Sequence, residues 1–600
     1  MDEKLNWQVL AGKFALDGDM KGMRACAREL FDAFPDSAEG PAIMAEAALY
    51  AGNRDEAELL AGDALELEPQ SLRARLVMAG LAGLRFEVET EIKALQAIVK
   101  ELKTDGAELE SRRKTMSVRL HLGRAVPEAE KNQRQNDEAR RKVNDYLMFK
   151  AQGWLADALY LAADPAGAAK ALLTASRLAA SVEDKVSLYS KYLFMLNYRT
   201  LGPDTAKEAA LTYGKMLPEV GIYSHSDVKR TPEKRLRIGY ISPDFRQHAV
   251  AYFLAPLLRD YDRQNFAVHC YSAGLVDKVT QRFQHYPVNW RDIRGRSART
   301  VARLIAEDHI DILVDLSGHS QNNLLDVLAY RPAPIQVTAI GYMNTTGLPT
   351  MDYFLSDVFC STKPEPPGFT EKVIRLPHSH LCYDPGAVRE MPAPAIEAPV
   401  RKNGFITFGS FNNVAKLTDE LLCIWRSIMD RVRQSRLVIK GKICSIPEGR
   451  TILRERLRRL HFELARVDLR PYSPDYLEQY RDIDIALDTA PYTGGLTTCE
   501  ALFMGVPVVT LKGHSHNSRF GTGILRNAEL KELIANNQME YVKKIMQLAT
   551  NPELLQRYHQ GLRQHLLKSP LMDSKNYMRE LESAYREIWQ NFCAEGARPK

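Results

Sequence analysis

Three segments of the sequence combine charged or hydroxyl side chains with turn residues where strand-like runs end. The first is ISPDFRQH, in which Asp244 and His248 stand four residues apart after the apolar run LRIGYI. If the segment is helical, the two side chains share a face and can handle one proton between them. Alternatively, Asp244 caps a helix and His248 is a satisfied interior side chain. The pair is a candidate for proton transfer at a strand end.

The second segment is FGSFNNVAK, another strand-like run that leads into a polar turn. Its last residue, Lys416, is predicted to begin the helix KLTDELLCIWRSIM. Backbone N–H groups at a helix start and an adjacent cation together favour a phosphate group. The alternative is a surface lysine that happens to lie at a helix start. The segment is thus a candidate for holding a diphosphate leaving group.

The third segment, LDTAPYTGGLTTCE, is a Gly-rich turn between a predicted strand and a predicted helix. Gly494 and Gly495 let backbone donors come close to a pyrophosphate, and Thr497 and Thr498 add hydroxyl groups. Glu500 lies one turn into the helix, where its carboxylate suits two ribose hydroxyls. Because Gly-rich turns of this kind are common, the segment predicts a nucleotide site only together with the other two.

The sequence does not predict a metal site. The triplet at 482–484, Asp-Ile-Asp, abuts the strand-like run IDIALD, so strand alternation explains it better than a metal-binding DxD motif does. Eight cysteines, at positions 26, 270, 360, 382, 423, 444, 499 and 593, form no CxxC pair. Such spacing is typical of reduced thiols in a cytosol and argues against structural zinc. We expect neither a metal ion nor another cofactor.

An α/β alternation that begins at Arg235 must position all three segments. Short β-type runs such as LRIGYIS and IDILVDLSG alternate with helices or loops, and the pattern restarts after a Pro-rich stretch at 391–399 with FITFGSF and RLVIKGK. The pattern predicts two Rossmann-like lobes, 235–390 and 400–565, followed by a C-terminal helix and tail, 566–600. Open parallel sheets bind ligands at the carboxyl ends of their strands, so the expected site is a cleft between the lobes.

The preceding part of the chain is predicted to be all-helical. Three kinds of residue recur at an interval of 34, the tetratricopeptide period: Gly18 and Gly52, Ala27 and Ala61, and Pro35 and Pro69. A degenerate third unit spans 156–177, and a generic bundle of Ala-rich helices is the alternative. The predicted organisation is a tetratricopeptide-like domain at 1–200, a charged helical insertion near 101–145, and a linker at 201–234.

Composition excludes several classes of function. The 81 basic and 75 acidic residues give a net charge of +6 without a polybasic tail or stripe, so nucleic-acid binding is not expected. The start, MDEKLNWQVLAGKF, lacks the pattern of a signal peptide, and no apolar run approaches the length of a membrane-spanning helix. We therefore expect a cytoplasmic protein that does not insert into a membrane and whose partner is a small anionic ligand.

Residues 235–589 resemble the catalytic region of the O-linked N-acetylglucosamine transferases and their bacterial relatives, a family that includes cytoplasmic N-glycosyltransferases of adhesins. Six motifs occur in family order: LRIGYISPDFRQH, IDILVDLSGHS, RPAPIQVTAIGY with TTGLPTMDY, FGSFNNVAK, DIALDTAPYTGGLTTCEALFMGVPVVT, and SRFGTGIL. Tetratricopeptide repeats ahead of the catalytic lobes are also the family's arrangement. The resemblance implies an α + α/β protein in which helical repeats precede a GT-B glycosyltransferase made of two Rossmann-like lobes.

The motifs carry the family's residue roles over by position. His248 matches the histidine beside the sugar and the acceptor, and Asp244 matches an acid proposed as a proton acceptor or relay. Lys416 matches the lysine that contacts the diphosphate. By the same resemblance, Asn413 contacts the nucleotide, Thr497 contacts a phosphate, and Glu500 holds the ribose. The implied reaction inverts the anomeric carbon without a metal ion, and Asp244, His248 or the α-phosphate takes the acceptor proton.

Several positions depart from the family pattern. Gly495 and Leu496 stand where the animal enzyme has His and Thr, so backbone amides must do more of the phosphate binding. Tyr476 replaces a histidine that stacks near uracil; its ring can still stack, but the imidazole hydrogen bonding is lost. Tyr252 replaces a second histidine after the His248 motif. These changes bear on the identity of the sugar more than on the use of a nucleotide.

Three functions follow from the resemblance. The first is an O-glycosyltransferase that moves N-acetylglucosamine or a related hexose from a UDP-sugar to Ser or Thr of a polypeptide such as flagellin, with the repeats presenting a groove to that polypeptide. The second is an Asn-directed N-glycosyltransferase that uses UDP-glucose. The third is a repeat scaffold with inactive transferase lobes. The repeats also offer a surface for homo-oligomerisation.

Overall fold

The computed structural model describes residues 2–121, 128–363 and 368–595. The middle of the predicted charged insertion and the end of the predicted tail therefore lie outside the described residues. The chain divides into two compact units, residues 1–192 with 446–453 and residues 193–445 with 454–600. The first unit is helical and the second contains two parallel sheets, as the sequence predicts.

Nine helices begin within the described part of the first 200 residues: α1 (Glu3–Leu16), α2 (Met20–Ala33), α3 (Glu39–Tyr50), α4 (Arg54–Leu67), α5 (Leu72–Leu84), α6 (Val88–His121), α7 (Glu128–Leu161), α8 (Pro165–Leu178) and α9 (Val182–Leu196). Gly18 and Gly52 occupy the turns inside the first two helix pairs, with φ of 72° and 80°. Glycine adopts this left-handed conformation without steric cost, which explains the first element of the 34-residue period. Ala27 and Ala61 are fully buried, because a small side chain lets the paired helices approach.

The charged insertion forms the adjoining ends of α6 and α7, which pack against each other. Ion pairs connect the two helices, among them Arg140 with Asp105 at 2.5 Å and Arg112 with Asp137 at 3.6 Å. These pairs are half-exposed, so each contributes at most about 1 kcal/mol. The charges of this segment therefore mark a solvated helical hairpin.

The second unit holds thirteen strands in the residues that the structure describes. They are β1 (Leu236–Ser242), β2 (Phe266–Ser272), β3 (Asn289–Asp292), β4 (Ile312–Asp315), β5 (Ile335–Thr338), β6 (Tyr353–Asp357), β7 (Lys372–Leu376), β8 (Ile406–Ser410), β9 (Ser435–Lys440), β10 (Val467–Arg470), β11 (Ile485–Leu487), β12 (Val508–Leu511) and β13 (Ile534–Ala535). The remaining helices are α10 (Pro203–Met216), α11 (Ala255–Arg259), α12 (Lys278–Gln284), α13 (Ala298–Glu307), α14 (Leu325–Ala329), α15 (Pro399–Asn403), α16 (Asp419–Arg431), α17 (Pro447–Arg459), α18 (Leu496–Phe503), α19 (Phe520–Asn527), α20 (Gln538–Ala549), α21 (Pro552–Leu567) and α22 (Ser574–Glu595).

The two sheets share one strand order. The first lobe runs β3-β2-β1-β4-β5-β6-β7 and the second runs β10-β9-β8-β11-β12-β13, and the paired strands are parallel. Both orders are the Rossmann order, with a seventh strand added to the first lobe. The strand order therefore reverses between β1 and β4 in one lobe and between β8 and β11 in the other.

The central strands are buried on both faces because helices cover each sheet. All five residues of β8 are buried, as are six of the seven in β1. Such strands read as continuous apolar runs, and this is why LRIGYIS and FITFGSF stand out in the sequence.

The C-terminal helix α22 belongs to the packing of the first lobe although it follows the second lobe in the chain. It contacts α11 and β7, and its Tyr585 hydroxyl lies 3.4 Å from that of Tyr240 on β1. The indole of Trp589 donates to the carbonyl oxygen of Thr231 at 3.1 Å. The chain therefore crosses back from the second lobe to the first, which links the two sheets.

Among the helices that the structure describes, none has a stretch that is both long enough and apolar enough to cross a lipid bilayer.

Candidate functional site

The predicted site residues follow the strands that flank the two reversal points. Asp244 and His248 come after β1, Lys416 after β8, and the Gly494 loop after β11. In an open parallel sheet, a reversal of strand order opens a crevice at the carboxyl ends of the strands. The sequence prediction that these segments lie at strand ends is therefore confirmed, and each lobe contributes to one side of the crevice.

Asp244 and His248 come together as predicted, but they do so without a helix. Residues 243–248 form an irregular turn, and His248 caps a short 3₁₀ helix, Ala249–Phe253, in which the amide of Val250 donates to its Nδ1 at 3.4 Å. His248 Nδ1 lies 3.5 Å from Asp244 Oδ1. Neither open alternative holds, because Asp244 does not cap a helix and the His248 side chain remains 38% exposed.

Burial sets the protonation preference of this pair. The carboxyl of Asp244 is almost fully enclosed, and this burial raises its pKa, while the nearby His248 and Arg246 oppose the rise. Burial also lowers the pKa of His248, and the Asp244 charge opposes that change. Burial therefore shifts both groups toward their neutral forms and brings their two pKa values closer together, which favours exchange of a proton between them.

A close backbone approach fixes the turn that carries Asp244. A Cβ atom on Gly274 would lie 1.9 Å from the carbonyl oxygen of Pro243, so only glycine fits beside the turn. The amide of Asp244 donates to the Ser242 hydroxyl at 2.9 Å. The acid is thus held by the end of β1 and by the loop after β2.

Lys416 lies at the end of a 3₁₀ turn, Val414–Lys416, rather than at the start of the following helix. The prediction that it begins that helix is wrong, because Thr418 caps α16 and the helix begins at Asp419. The Lys416 ammonium donates to the carbonyl oxygen of Thr493 at 3.0 Å and lies 3.7 Å from the ring centre of Tyr492. Burial lowers the pKa of Lys416 to about 8, although Asp488 opposes the shift. The lysine is therefore a cation enclosed by the second lobe.

Asn413, predicted to touch the nucleotide, caps the same 3₁₀ turn. Its side-chain oxygen accepts from the amide of Ala415 at 3.1 Å. Asn413 is exposed, while the neighbouring Asn412 is buried and accepts from the Thr497 hydroxyl at 2.8 Å. The turn after β8 is thus joined to the start of α18.

The Gly494 loop is organised by Asp488, a residue that the sequence analysis did not single out. Asp488 Oδ1 accepts from the amides of Thr489 at 2.8 Å and Gly494 at 2.7 Å, and its Oδ2 accepts from the Thr510 hydroxyl at 2.6 Å. Its position directly after β11 was the sequence signal that could have identified it as a site residue. Burial raises the pKa of Asp488 to about 6, and these donors and Lys416 oppose the shift.

Gly494 has no room for a side chain, whereas Gly495 leaves a helix start uncapped. A Cβ on Gly494 would lie 2.5 Å from the Thr498 hydroxyl and 2.8 Å from that of Thr497. Gly495 is the N-cap of α18 and offers no side-chain acceptor to its first amides. These amides remain available for an anion. The Thr498 hydroxyl is buried and makes no hydrogen bond with the described residues, so its role as a phosphate ligand stays a prediction.

Glu500 is fully enclosed and already holds a partner. The Tyr476 hydroxyl donates to its Oε1, and the Arg389 guanidinium lies 5.5 Å from the centre of the Tyr476 ring. Burial raises the pKa of Glu500 to about 7, while Tyr476 and Arg389 oppose the rise. The Tyr476 hydroxyl thus occupies the carboxylate that was predicted to hold the ribose, a contact that the sequence analysis did not predict.

Residues of the two lobes meet across the crevice. Tyr252, which follows His248, lies close enough to Glu500 for that carboxylate to raise its pKa further, after burial has raised it. Lys442, after β9, helps to lower the pKa of His248. The Asp244–His248 pair of the first lobe and the strand ends of the second lobe that carry Lys442 and Glu500 therefore face each other.

The two carboxylates of the Asp482–Asp484 triplet have separate structural partners. Asp482 pairs with Arg470 at 2.6 Å, while Asp484 is buried and accepts from the amides of Thr407 and Val400 at 2.8 Å each. The triplet abuts β11, as the sequence predicts, but it lies outside the strand because Asp482 ends a 3₁₀ turn, so strand alternation does not account for it.

Comparison with known proteins gives one family and several relatives. The model of glycosyl transferase family 41 matches residues 184–391 and 400–581. A mutant of the Thermobaculum terrenum O-GlcNAc transferase has a similar structure, with a TM-score of 0.72 and 28% identity, covering 93% of this chain and 98% of that one.

Two plant proteins are also similar to this chain. A Solanum lycopersicum protein named "Probable UDP-N-acetylglucosamine--peptide N-acetylglucosaminyltransferase SPINDLY" is 40% identical over 414 residues, covering 67% of this chain and 44% of the relative. The Arabidopsis thaliana protein that carries the same enzyme name with the designation SEC is 29% identical over 377 residues, covering 61% of this chain and 38% of the relative. The chain thus spans less than half the length of either plant protein.

Proposed function

Because the chain belongs to glycosyl transferase family 41, we propose that it transfers N-acetylglucosamine or a related hexose from a UDP-sugar to Ser or Thr of a polypeptide. The enzyme names of the plant relatives and of the bacterial protein support the donor and the kind of acceptor. The observation that carries the proposal is the Lys416 ammonium beside the uncapped start of α18, at the reversal point of the second lobe.

In the proposed reaction the second lobe stabilises the leaving diphosphate. Departure of the sugar adds negative charge to the β-phosphate, and Lys416 together with the first amides of α18 can compensate it without a divalent cation. Removal of one such preorganised donor typically costs about 2.7–4 kcal/mol. Glu500 accepts from the ribose hydroxyls once Tyr476 releases it. We extend the proposal to inversion at the anomeric carbon, as the two-lobed arrangement of the family implies.

The first lobe positions the acceptor hydroxyl, whose proton must be removed as the new bond forms. A Ser or Thr hydroxyl has so high a pKa that a base assists only while the new bond forms. His248 is the positioning group in this proposal, and Asp244, His248 or the α-phosphate accepts the proton. The 3.5 Å separation of His248 Nδ1 and Asp244 Oδ1 supports a relay between the first two.

The setting of the reaction is also a proposal. All eight cysteines are free thiols, which fits the reducing cytoplasm. Flagellin or another surface protein is the acceptor that we propose to test first, with the helical repeats presenting a groove to it.

Intact-mass measurement of candidate acceptors incubated with the full chain tests the proposal. UDP-N-acetylglucosamine and UDP-glucose are offered as donors. A GDP-sugar is the control that tests whether the enzyme requires the uracil base of the nucleotide. We expect an added sugar on Ser or Thr and release of UDP. Modified Asn with unmodified Ser and Thr would establish the N-glycosyltransferase, transfer from the GDP-sugar alone would refute UDP as the nucleotide, and no transfer from any donor would favour the scaffold.

A further inference from the structure

A thiol and two imidazoles meet in the interior of the catalytic unit, apart from the residues discussed above. Cys360 and His380 belong to the first lobe, after β6 and β7, and His516 belongs to the second lobe, after β12. One potential ligand atom from each lies within 4.8 Å of the other two, and all three side chains are buried. Cys360 and His516 are 156 residues apart in the sequence, so no local spacing motif predicts the cluster.

The imidazole nitrogens of this cluster lack protein partners. His380 Nε2 and both ring nitrogens of His516 make no hydrogen bond of normal geometry with the described residues. The residues are only 2% and 5% exposed, so water does not replace those bonds from the surface. Leaving a buried polar group unsatisfied costs about 1–3 kcal/mol, and three such nitrogens in one cluster call for a ligand.

Asp357 holds His380 in the orientation that a metal ligand requires. Its Oδ2 lies 2.5 Å from His380 Nδ1, and in a neutral imidazole this contact places the proton on Nδ1 and the lone pair on Nε2. Asp357 Oδ1 accepts from the amides of Phe359 and Cys360 at 2.8 Å each. A carboxylate that fixes the far nitrogen of an imidazole is the usual outer partner of a metal-binding histidine.

The charges and the walls of the cluster also suit a divalent cation. A Cys360 thiolate and the buried Asp357 carboxylate together carry two negative charges, which one divalent cation balances. Phe354 and Phe520 pack edge-on against the His516 ring, with centroids 5.0 and 5.2 Å away. Apolar walls of this kind separate the site from bulk solvent and keep it in a low dielectric, where the attraction between ion and ligands is strong.

We propose that Cys360 Sγ, His380 Nε2 and one ring nitrogen of His516 bind a zinc ion, with water in the fourth position. Mixed thiolate and imidazole ligands suit Zn²⁺, with bonds of about 2.3 Å to sulfur and about 2.0–2.1 Å to nitrogen. At tetrahedral angles these bonds place the ligand atoms about 3.5 Å apart, so the side chains move inward by about 1 Å at most.

The zinc ion ties a first-lobe loop to a second-lobe loop. Asn517, next to His516, accepts from the amide and the hydroxyl of Thr493 through its carbonyl oxygen, at 3.2 and 3.1 Å. Thr493 is the residue whose carbonyl oxygen holds Lys416. The ion is thus a structural link between the lobes whose presence does not depend on the transfer reaction.

Metal analysis of the full chain tests this site. The protein is expressed in zinc-supplemented medium, desalted, and measured by inductively coupled plasma mass spectrometry. We expect close to one zinc per chain, and a loss of at least tenfold in Cys360→Ser and in His516→Phe. The matched controls are the exposed Cys423→Ser and His514→Phe, which should keep the wild-type content.

Cobalt substitution provides a second readout that does not rely on activity. Titration of metal-free protein with Co²⁺ should give a thiolate-to-cobalt charge-transfer band that Cys360→Ser lacks, and circular dichroism should show that the variant is folded. A wild-type chain with less than a tenth of an equivalent of zinc and no such band would overturn the proposal. So would folded Cys360→Ser that retains wild-type zinc, whereas a variant that fails to fold leaves the decision to the wild-type measurements.

Discussion

The two lobes contain the same structural device at corresponding strand ends. Asp315 at the end of β4 accepts from the amides of Ser317 at 3.0 Å and Gly318 at 2.8 Å and from the hydroxyl of Thr338 at 2.8 Å. Asp488 after β11 likewise accepts from two amides and from the hydroxyl of Thr510 on the next strand. Burial raises the pKa of both carboxyls to about 6.

The surroundings of these two acids differ in the sign of charge. The nearby group that acts on Asp315 is Asp244, which raises its pKa further, whereas Asp488 faces Lys416, which lowers its pKa. One loop therefore ends beside an acid and a histidine, and the other beside an enclosed cation. The comparison teaches that the strand order makes two equivalent positions and that a few side chains give them different charges, which is the basis for proposing proton handling at one and anion binding at the other.

The largest expected effect comes from removing the cation. Lys416→Ala should lower transfer by about 10²- to 10³-fold, because the leaving diphosphate loses a preorganised donor, and should weaken binding of UDP as well. UDP release and calorimetric titration with UDP measure the two effects. The exposed Lys402→Ala, in the same lobe, is the matched control and should behave as the wild type. Equal UDP release by Lys416→Ala and the wild type would assign the anion site to other residues.

Changing the first lobe should separate transfer from donor binding. His248→Ala should lower kcat by about 10²-fold, the lower part of the range for groups that handle protons, and leave UDP affinity unchanged. Comparison of kcat with the dissociation constant of UDP checks this split. The exposed His285→Ala in the same lobe serves as the control. A loss of UDP affinity as large as that of Lys416→Ala would contradict the division of labour between the lobes.

Sequence reasoning succeeded where the local pattern of apolar residues was enough to locate a strand and therefore its end. Buried parallel strands give apolar runs, so both lobes and the strand-end location of Asp244, Lys416 and Gly494 were predictable. The turn around His248 and the start of α16 were not, because the close approach at Gly274 and the cap at Thr418 depend on tertiary contacts. The pairing of Tyr476 with Glu500 was missed for the same reason.

The Cys360 cluster shows a sharper limit of sequence reasoning. The cysteines of the sequence form no closely spaced motif, and this argues against zinc. Such motifs, however, reveal only ligands that lie on one local element. Here the three side chains come from loops of two lobes, and only the packing of β6, β7 and β12 brings them together. The number and spacing of cysteines in the sequence therefore cannot reveal a cluster of this kind.

The two equivalent acids allow a matched test of the comparison. Thr338→Val and Thr510→Val each remove one hydroxyl donor from a buried carboxylate and nearly preserve shape. Each should lower the free energy of unfolding by about 1.5–3 kcal/mol, as expected for hydrogen bonds to charged groups. Thermal and urea unfolding measure the loss.

UDP affinity then distinguishes the two variants. Only Thr510→Val should weaken UDP binding, because Asp488 holds the Gly494 loop and faces Lys416. Weaker UDP binding in Thr338→Val as well would show that the first-lobe acid also shapes the donor site. No loss of stability in either variant would mean that the hydroxyls add nothing to the amide donors.

The smallest expected effect concerns the pH dependence of UDP binding. Glu500 has a pKa raised to about 7, so it becomes protonated as pH falls below 7 and accepts fewer ribose hydroxyls. Lys416 has a pKa lowered to about 8, so it loses its charge as pH rises above 8. Affinity should therefore be greatest between about pH 7 and 8, and Glu500→Gln should remove the acidic limb while keeping the alkaline one.

Tyr476→Phe sharpens this prediction. Its hydroxyl stabilises the ionised Glu500, so its removal should raise the pKa of Glu500 and move the acidic limb to higher pH, with a change of only a few-fold in affinity at pH 7.

Because the pKa of Glu500 is raised on folding, its burial favours the native state below about pH 4.5, and this contribution is lost as pH rises through 7. Calorimetric titrations at several pH values distinguish binding from this background. An acidic limb that is unchanged in Tyr476→Phe and persists in Glu500→Gln would show that Glu500 does not set it, and the terminal phosphate of UDP, whose second pKa is about 6, would then be its source.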